Sequence, residues 1–169
     1  MKILETERTI LREIVEADAE FFLDLLNQPS FIKYIGDRNV RSIEEARKFI
    51  ENRFRQSYRE HGFGLYAVEL KETNALIGIC GFVRRESLPD ADIGFAFLPQ
   101  YEKKGYAFES ADAVMKYGRE VLGLKRVLAI TSQNNENSGK LLAKINFKFE
   151  RLIELPHDAE ELKLFSSGA

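Results

Sequence analysis

Glu102-Lys103-Lys104-Gly105-Tyr106-Ala107 is the stretch whose residue types could do chemistry together. It stands between an apolar run, Ile93 to Leu98, and a segment with helical spacing, so it reads as strand, short turn, helix. A helix start bares backbone N–H groups and the positive end of the helix dipole, and a glycine lets a phosphate approach the chain closely. Lys103 and Lys104 add positive charge there. The same pattern also suits a solvated turn, which is what lysines beside a turn glycine more often are. Elsewhere the inventory is sparse. The one cysteine, Cys80, lies in the apolar run Leu76 to Phe82 and reads as core packing. No Ser–His or Cys–His pair is visible to supply a nucleophile. His61 and His157 are far apart and, with a single cysteine, argue against a His/Cys metal site.

At 169 residues and 44% hydrophobic, the chain suits one compact α/β or α+β domain spanning 1–169, since it has no low-complexity linker and no internal repeat. A net charge of -2 argues against nucleic acid or an anionic membrane held by bulk charge. Without a signal peptide or a long apolar segment, it reads as soluble and cytoplasmic. Residues 3–12 alternate like a strand. Asp18 opens a short helix burying Phe21, Phe22, Leu25 and Leu26. Phe31 to Arg41 reads as loop or broken helix. Ser42 and Glu45 have capping-box spacing, and the helix after them buries Ile43, Ala46, Phe49, Ile50, Phe54 and Tyr58 before ending by Gly62.

Strands are expected at 64–71, 75–84 and 91–98, then a helix over 105–121. Strand 126–131 and helix 136–145 follow, the helix with Leu141, Leu142 and Ile145 inward and Asn146 as a left-handed cap. Two strands near 147–154 and 161–166 close the chain. Helices alternate with strands only in part, so the sheet should be mixed.

Three blocks, in order, resemble the GNAT superfamily of N-acetyltransferases, in its RimJ/RimL-type branch. The first is Gly62 to Leu70 with Leu76 to Phe82. The second is Ala91 to Glu109, similar to the family's fourth strand, its (Gln/Arg)-x-x-Gly-x-(Gly/Ala) pyrophosphate loop and the following helix. The third is Asn135 to Phe147, similar to the branch's Asn-x-x-Ser…Lys-x-Gly-Phe segment. Three features depart from the pattern: Glu102 replaces Gln or Arg, Asn146 replaces Gly, and Leu142 stands where many members carry a tyrosine acid.

The resemblance implies a mixed, mostly antiparallel twisted sheet of about seven strands flanked by about four helices. It implies acetyl transfer from acetyl-CoA to a primary amine, on a protein N-terminus or a small molecule, by direct attack and without a metal. Asp92 would be the base, drawing the amine proton through a water; a strand-edge aspartate that orders the Pro89-Asp90 turn is the other reading. The pantetheine arm would lie along Phe95-Ala96-Phe97 like an added strand. Backbone around Lys103, Lys104, Gly105, Tyr106, Ala107 and Phe108 would hold the pyrophosphate, and Asn135 would bond the pantetheine. Ser138 would face the departing thiolate or else cap its own helix.

Lys140 and Lys144 are candidates for the 3′-phosphate, though better read as solvated. The acidic residues Glu150, Glu154, Asp158, Glu160 and Glu161 would favour cationic amines if they rim the acceptor cleft, though they are better read as a solvated acidic surface. Two other classes stay open: an inactive acyl-CoA sensor of the same fold, and an unrelated nucleotide-binding domain using the Gly105 turn. A homodimer also stays open.

Overall fold

The computed structural model describes residues 1–156 and 158–167; His157 lies outside the described residues. Its strands are β1 (Lys2–Glu5), β2 (Thr9–Glu13), β3 (Leu65–Leu70), β4 (Leu76–Val83), β5 (Asp92–Phe97), β6 (Val127–Ser132), β7 (Lys148–Ile153) and β8 (Leu162–Ser167). They form one sheet in the order β1-β2-β3-β4-β5-β6-β8-β7. All neighbours pair antiparallel except β5 and β6, which run parallel. The expected single strand over 3–12 is a hairpin, Leu4 facing Leu11 across a turn at 6–8, which accounts for the eighth strand.

The helices are α1 (Ala19–Leu26), α2 (Pro29–Tyr34), α3 (Ile43–Phe49), α4 (Gln56–His61), α5 (Tyr106–Glu120) and α6 (Glu136–Lys144). Ser42 caps α3 by accepting the Glu45 N–H at 3.1 Å. A π-helical turn, Ile50–Arg55, joins α3 to α4. Gly62, at φ 77°, ends the run. The π-turn and the short α2 were not expected from hydrophobic spacing, which does not separate a π-turn from an α-turn in the same apolar stripe.

The central strands β3 and β4 are covered on both faces and are apolar on both sides, whereas β7 at the sheet's edge is largely exposed. Tyr66, Val68, Cys80, Phe82, Ile93 and Phe97 pack with Ala111, Val114 and Met115 of α5 and Leu142 and Ile145 of α6. Ala67, Ile79 and Leu98 pack with Phe22 and Leu25 of α1, Ala46 of α3, and Ile50 and Phe54 of the π-turn. Cys80 is fully buried in the first layer, and burial pushes its thiol pKa up, as suits a packing residue.

Candidate functional site

The parallel strands β5 and β6 barely touch. Asp92 is registered with Leu128, Leu128 N–H donates to Ala91 C=O at 2.9 Å, and beyond that rung the strands have no registered partners. Gly94 to Ala96 on one side and Ala129 to Ser132 on the other line a groove of about 880 Å³. Backbone that leaves a ladder must find other partners, so the open V between two parallel strands suits an extended ligand that bonds like a strand.

At the open end of the V lies the loop before α5. Lys103 and Gly105 have left-handed backbone, φ 61° and 86°, and Gly105 begins α5 without a side-chain cap. Among the described residues, the N–H groups of Lys103 to Phe108 meet no protein acceptor. Successive unpaired N–H groups at a helix start make an anion cradle.

Arg8, in the β1–β2 turn, holds this loop. Its guanidinium donates to Lys104 C=O at 3.1 Å and to Glu109 Oε1 at 2.7 Å, and stacks 4.3 Å from the Tyr106 ring centre. A trans peptide points its N–H opposite its C=O. Tying down the Lys104 carbonyl therefore turns the Gly105 N–H to the other side, outward from Arg8. Glu109 also accepts from Thr6 Oγ1 and Arg8 N–H. Burial pushes the Glu109 carboxyl up, and the bonds from Thr6 and Arg8 more than reverse it, leaving it below its ordinary value. Sequence reasoning missed Arg8 because it lies 96 positions from Lys104 and no local pattern links them. Glu109→Gln should release this clamp and weaken anion binding at the loop about tenfold, consistent with losing one charge-assisted bond; titration calorimetry of wild type and variant with inorganic pyrophosphate checks it.

At the closed end of the V stands Asp92, 1% exposed, whose Oδ1 accepts from Arg85 Nε at 3.1 Å. Burial raises its pKa to about 6, with Arg85 opposing the rise. Strand alternation sends Asp92, Gly94 and Ala96 to one face and Ile93, Phe95 and Phe97 to the other. Asp92 thus lines the groove together with Phe31, Arg38, Arg53 and Arg85.

On the opposite wall, Asn135 starts α6, its Oδ1 accepting the Ser138 N–H at 3.2 Å. That bond engages the oxygen and leaves the amide N–H₂ for another partner. Ser138 lies one turn before Leu142, and both line the groove. The buried Thr131 hydroxyl lines it too and has no partner among the described residues.

The structure thus brings Asp92, Phe95, Ala96, Asn135 and Ser138 to one groove, while Phe97 is buried against α5. The loop residues Lys103 to Phe108 sit past the C-terminal end of β5, with Tyr106 stacked on Arg8 and Phe108 39% exposed. Lys140 and Lys144 are exposed on α6 and do not line the groove. The acidic segment divides. Asp158 and Glu160 reach the groove, whereas Glu150 is held by Arg126 on β7 at 2.9 Å. Among the described residues no cluster of three or more His, Cys, Asp or Glu is placed to hold a metal, and no helix is long and apolar enough to cross a membrane.

Comparison with known proteins gives the family. Residues 8–148 match the acetyltransferase (GNAT) domain model. An uncharacterized N-acetyltransferase of Bacillus subtilis, YoaA, is 35% identical over 152 residues, 89% of this chain and 85% of its own. The ribosomal protein uS5-alanine N-acetyltransferase of Escherichia coli is 30% identical over 108 residues, 63% of this chain and 54% of its own. The structure of RimL, a ribosomal L7/L12 N-terminal acetyltransferase in complex with coenzyme A, superposes with a TM-score of 0.80 at 17% identity, covering 98% of this chain and 97% of that one. With the family model spanning most of its length, the chain belongs to the GNAT family of N-acetyltransferases, has a ribosomal-protein alanine N-acetyltransferase among its relatives, and shares its fold with RimL.

Proposed function

We propose that this enzyme moves the acetyl group of acetyl-CoA to a primary amine by direct attack on the thioester. The observation that carries this reading is the gap between β5 and β6, with a buried carboxylate at its closed end and the unpaired backbone donors of the loop after β5 beyond its open end. The donors of Lys103 to Phe108 fit a pyrophosphate. The unladdered edges of β5 and β6 fit an amide-bearing arm. Acetyl-CoA supplies an activated acyl carbon.

The protein's part is to place the amine and manage two protons. An aliphatic amine with a pKa near ~10 arrives protonated at neutral pH and must lose a proton before it can attack. Asp92, with a pKa raised to about 6, is mostly ionised at pH 7 yet basic enough to accept that proton directly or through one water. Arg85 orients the carboxylate and keeps its pKa from rising further. Ser138 offers a hydroxyl to the departing sulfur, in the region where Leu142 offers none. Buried Thr131 is a further donor to the arm.

Calorimetry should give about one CoA per chain. Saturating CoA at 100 times its dissociation constant should stabilise the fold by about 2.7 kcal/mol. Binding of ATP or NAD in place of CoA overturns the reading. CoA binding without acetylation of any amine or N-terminal peptide in a broad screen would instead favour a sensor.

A further inference from the structure

On the acceptor side of Asp92 the groove is lined by three arginines, of which only Arg85 has a part in the proposed acetyl transfer. Arg38 comes from the loop after α2, Arg53 from the π-turn, and Arg85 from the loop after β4. The Arg38 guanidinium folds back over Gly36, its Nη1 3.2 Å from where a β-carbon on that glycine would sit. It forms no ion pair or hydrogen bond among the described residues, although it is half-buried. Burial and then the charges of Arg53 and Arg85 push its pKa down, with only Asp158 opposing. Arg53 stacks 5.4 Å from the Phe49 ring centre and extends along the same wall. Arg85 is committed to Asp92. The other acids on the groove, Glu60 and Glu160, do not figure among the charges that act on Arg38.

A half-buried guanidinium crowded by two others is an unmet electrostatic demand, because buried charges are normally paired. Guanidinium is also the side chain whose planar fork fits carboxylate and phosphate oxygens in pairs. We infer that the acceptor is a primary amine carrying an anionic group close by, its amine at Asp92 and its anion on Arg38 and Arg53. This rests on the proposed reaction and names its substrate class. It differs from the cationic preference that the acidic residues would give if they rimmed the cleft: of that set only Asp158 and Glu160 reach the groove, and they meet more positive than negative charge there.

The probes are the free L-amino acids against their primary amides, 3-aminopropylphosphonate against propylamine, and spermidine as a cation. In acetyl-transfer assays, the best anionic acceptor should exceed its neutral counterpart in kcat/KM by about 10–100-fold, as one or two charge-assisted bonds allow. The carboxylate and phosphonate pairs tell which anion fits. Arg38→Ala should collapse that preference. Arg38→Lys should restore it only in part, and Arg53→Gln should lower it independently, which keeps the test available where the Arg38→Ala chain folds poorly.

Calorimetry of the same pairs on the CoA complex reads the preference without turnover, so a failed reaction does not conceal the answer. A preference for spermidine or the neutral members, or an anion preference that survives Arg38→Ala with Arg53→Gln, overturns the inference. An anion preference in binding without acetylation would overturn the reaction and leave the anion site standing.

Discussion

Asp92→Asn should lower kcat by about 10²–10⁴-fold with little change in acetyl-CoA affinity, because the amide keeps size and polarity but accepts no proton. In the parent, activity should fall as pH drops through about 6, where Asp92 becomes protonated. The variant should lose that limb. Arg85→Ala removes a charge that lowers the Asp92 pKa, so the limb should move to higher pH. A profile unchanged in both variants would rule Asp92 out as the base.

The same carboxylate should weaken the fold. Its folded pKa is raised above the unfolded value, so the folded state binds more protons between about 4 and 6, and stability declines as pH rises through that window. Above pH 6 the penalty is fully present, on the order of 3 kcal/mol. Asp92→Asn should therefore melt higher than the parent at pH 7.5, with the gap closing toward pH 4. If Asp92 only ordered the Pro89-Asp90 turn, stability and activity would fall together.

Gly105→Val should cost about 10²-fold or more in CoA affinity, the equivalent of one or two charge-assisted bonds, while the sheet stays folded. Gly105 sits at φ 86°, which a β-branched residue adopts only with strain. Its new β-carbon would stand 3.2 Å from Arg8 Nη2, so the substitution also presses on the clamp that orients the Lys104–Gly105 peptide. Calorimetry with CoA and circular dichroism separate lost binding from lost fold. A variant that binds CoA like the parent shows that this turn is not the phosphate cradle.

The local signals were legible in the sequence. Ser42 and Glu45 announced a helix start, Gly62 and Asn146 announced helix ends at φ 77° and 71°, and Gly105 announced the turn that opens α5. Each rests on rules that act over a few residues. The hairpin at 2–13 was harder to see, because Thr6 to Arg8 carries no glycine, proline or asparagine to mark a turn.

What joins distant segments was not legible. Arg8 meets Glu109 and Lys104 only because β1 and β2 lie beside α5, and Arg38, Arg53 and Arg85 meet only because three separate connections converge on one groove. The arginines of this groove escaped notice for the same reason. The acidic residues form a run along the chain, while the basic ones are scattered through it and gathered by folding.

The single rung between Asp92 and Leu128 has a mechanical meaning. The molecule is two leaves, β1 to β5 and β6 with β8 and β7, joined in the sheet at one hinge point. A molecule lying along both free edges would act as a rivet between them, since it would supply the cross-links that the chain itself omits. Loading the acyl donor would then stiffen the whole body as well as deliver the acyl group.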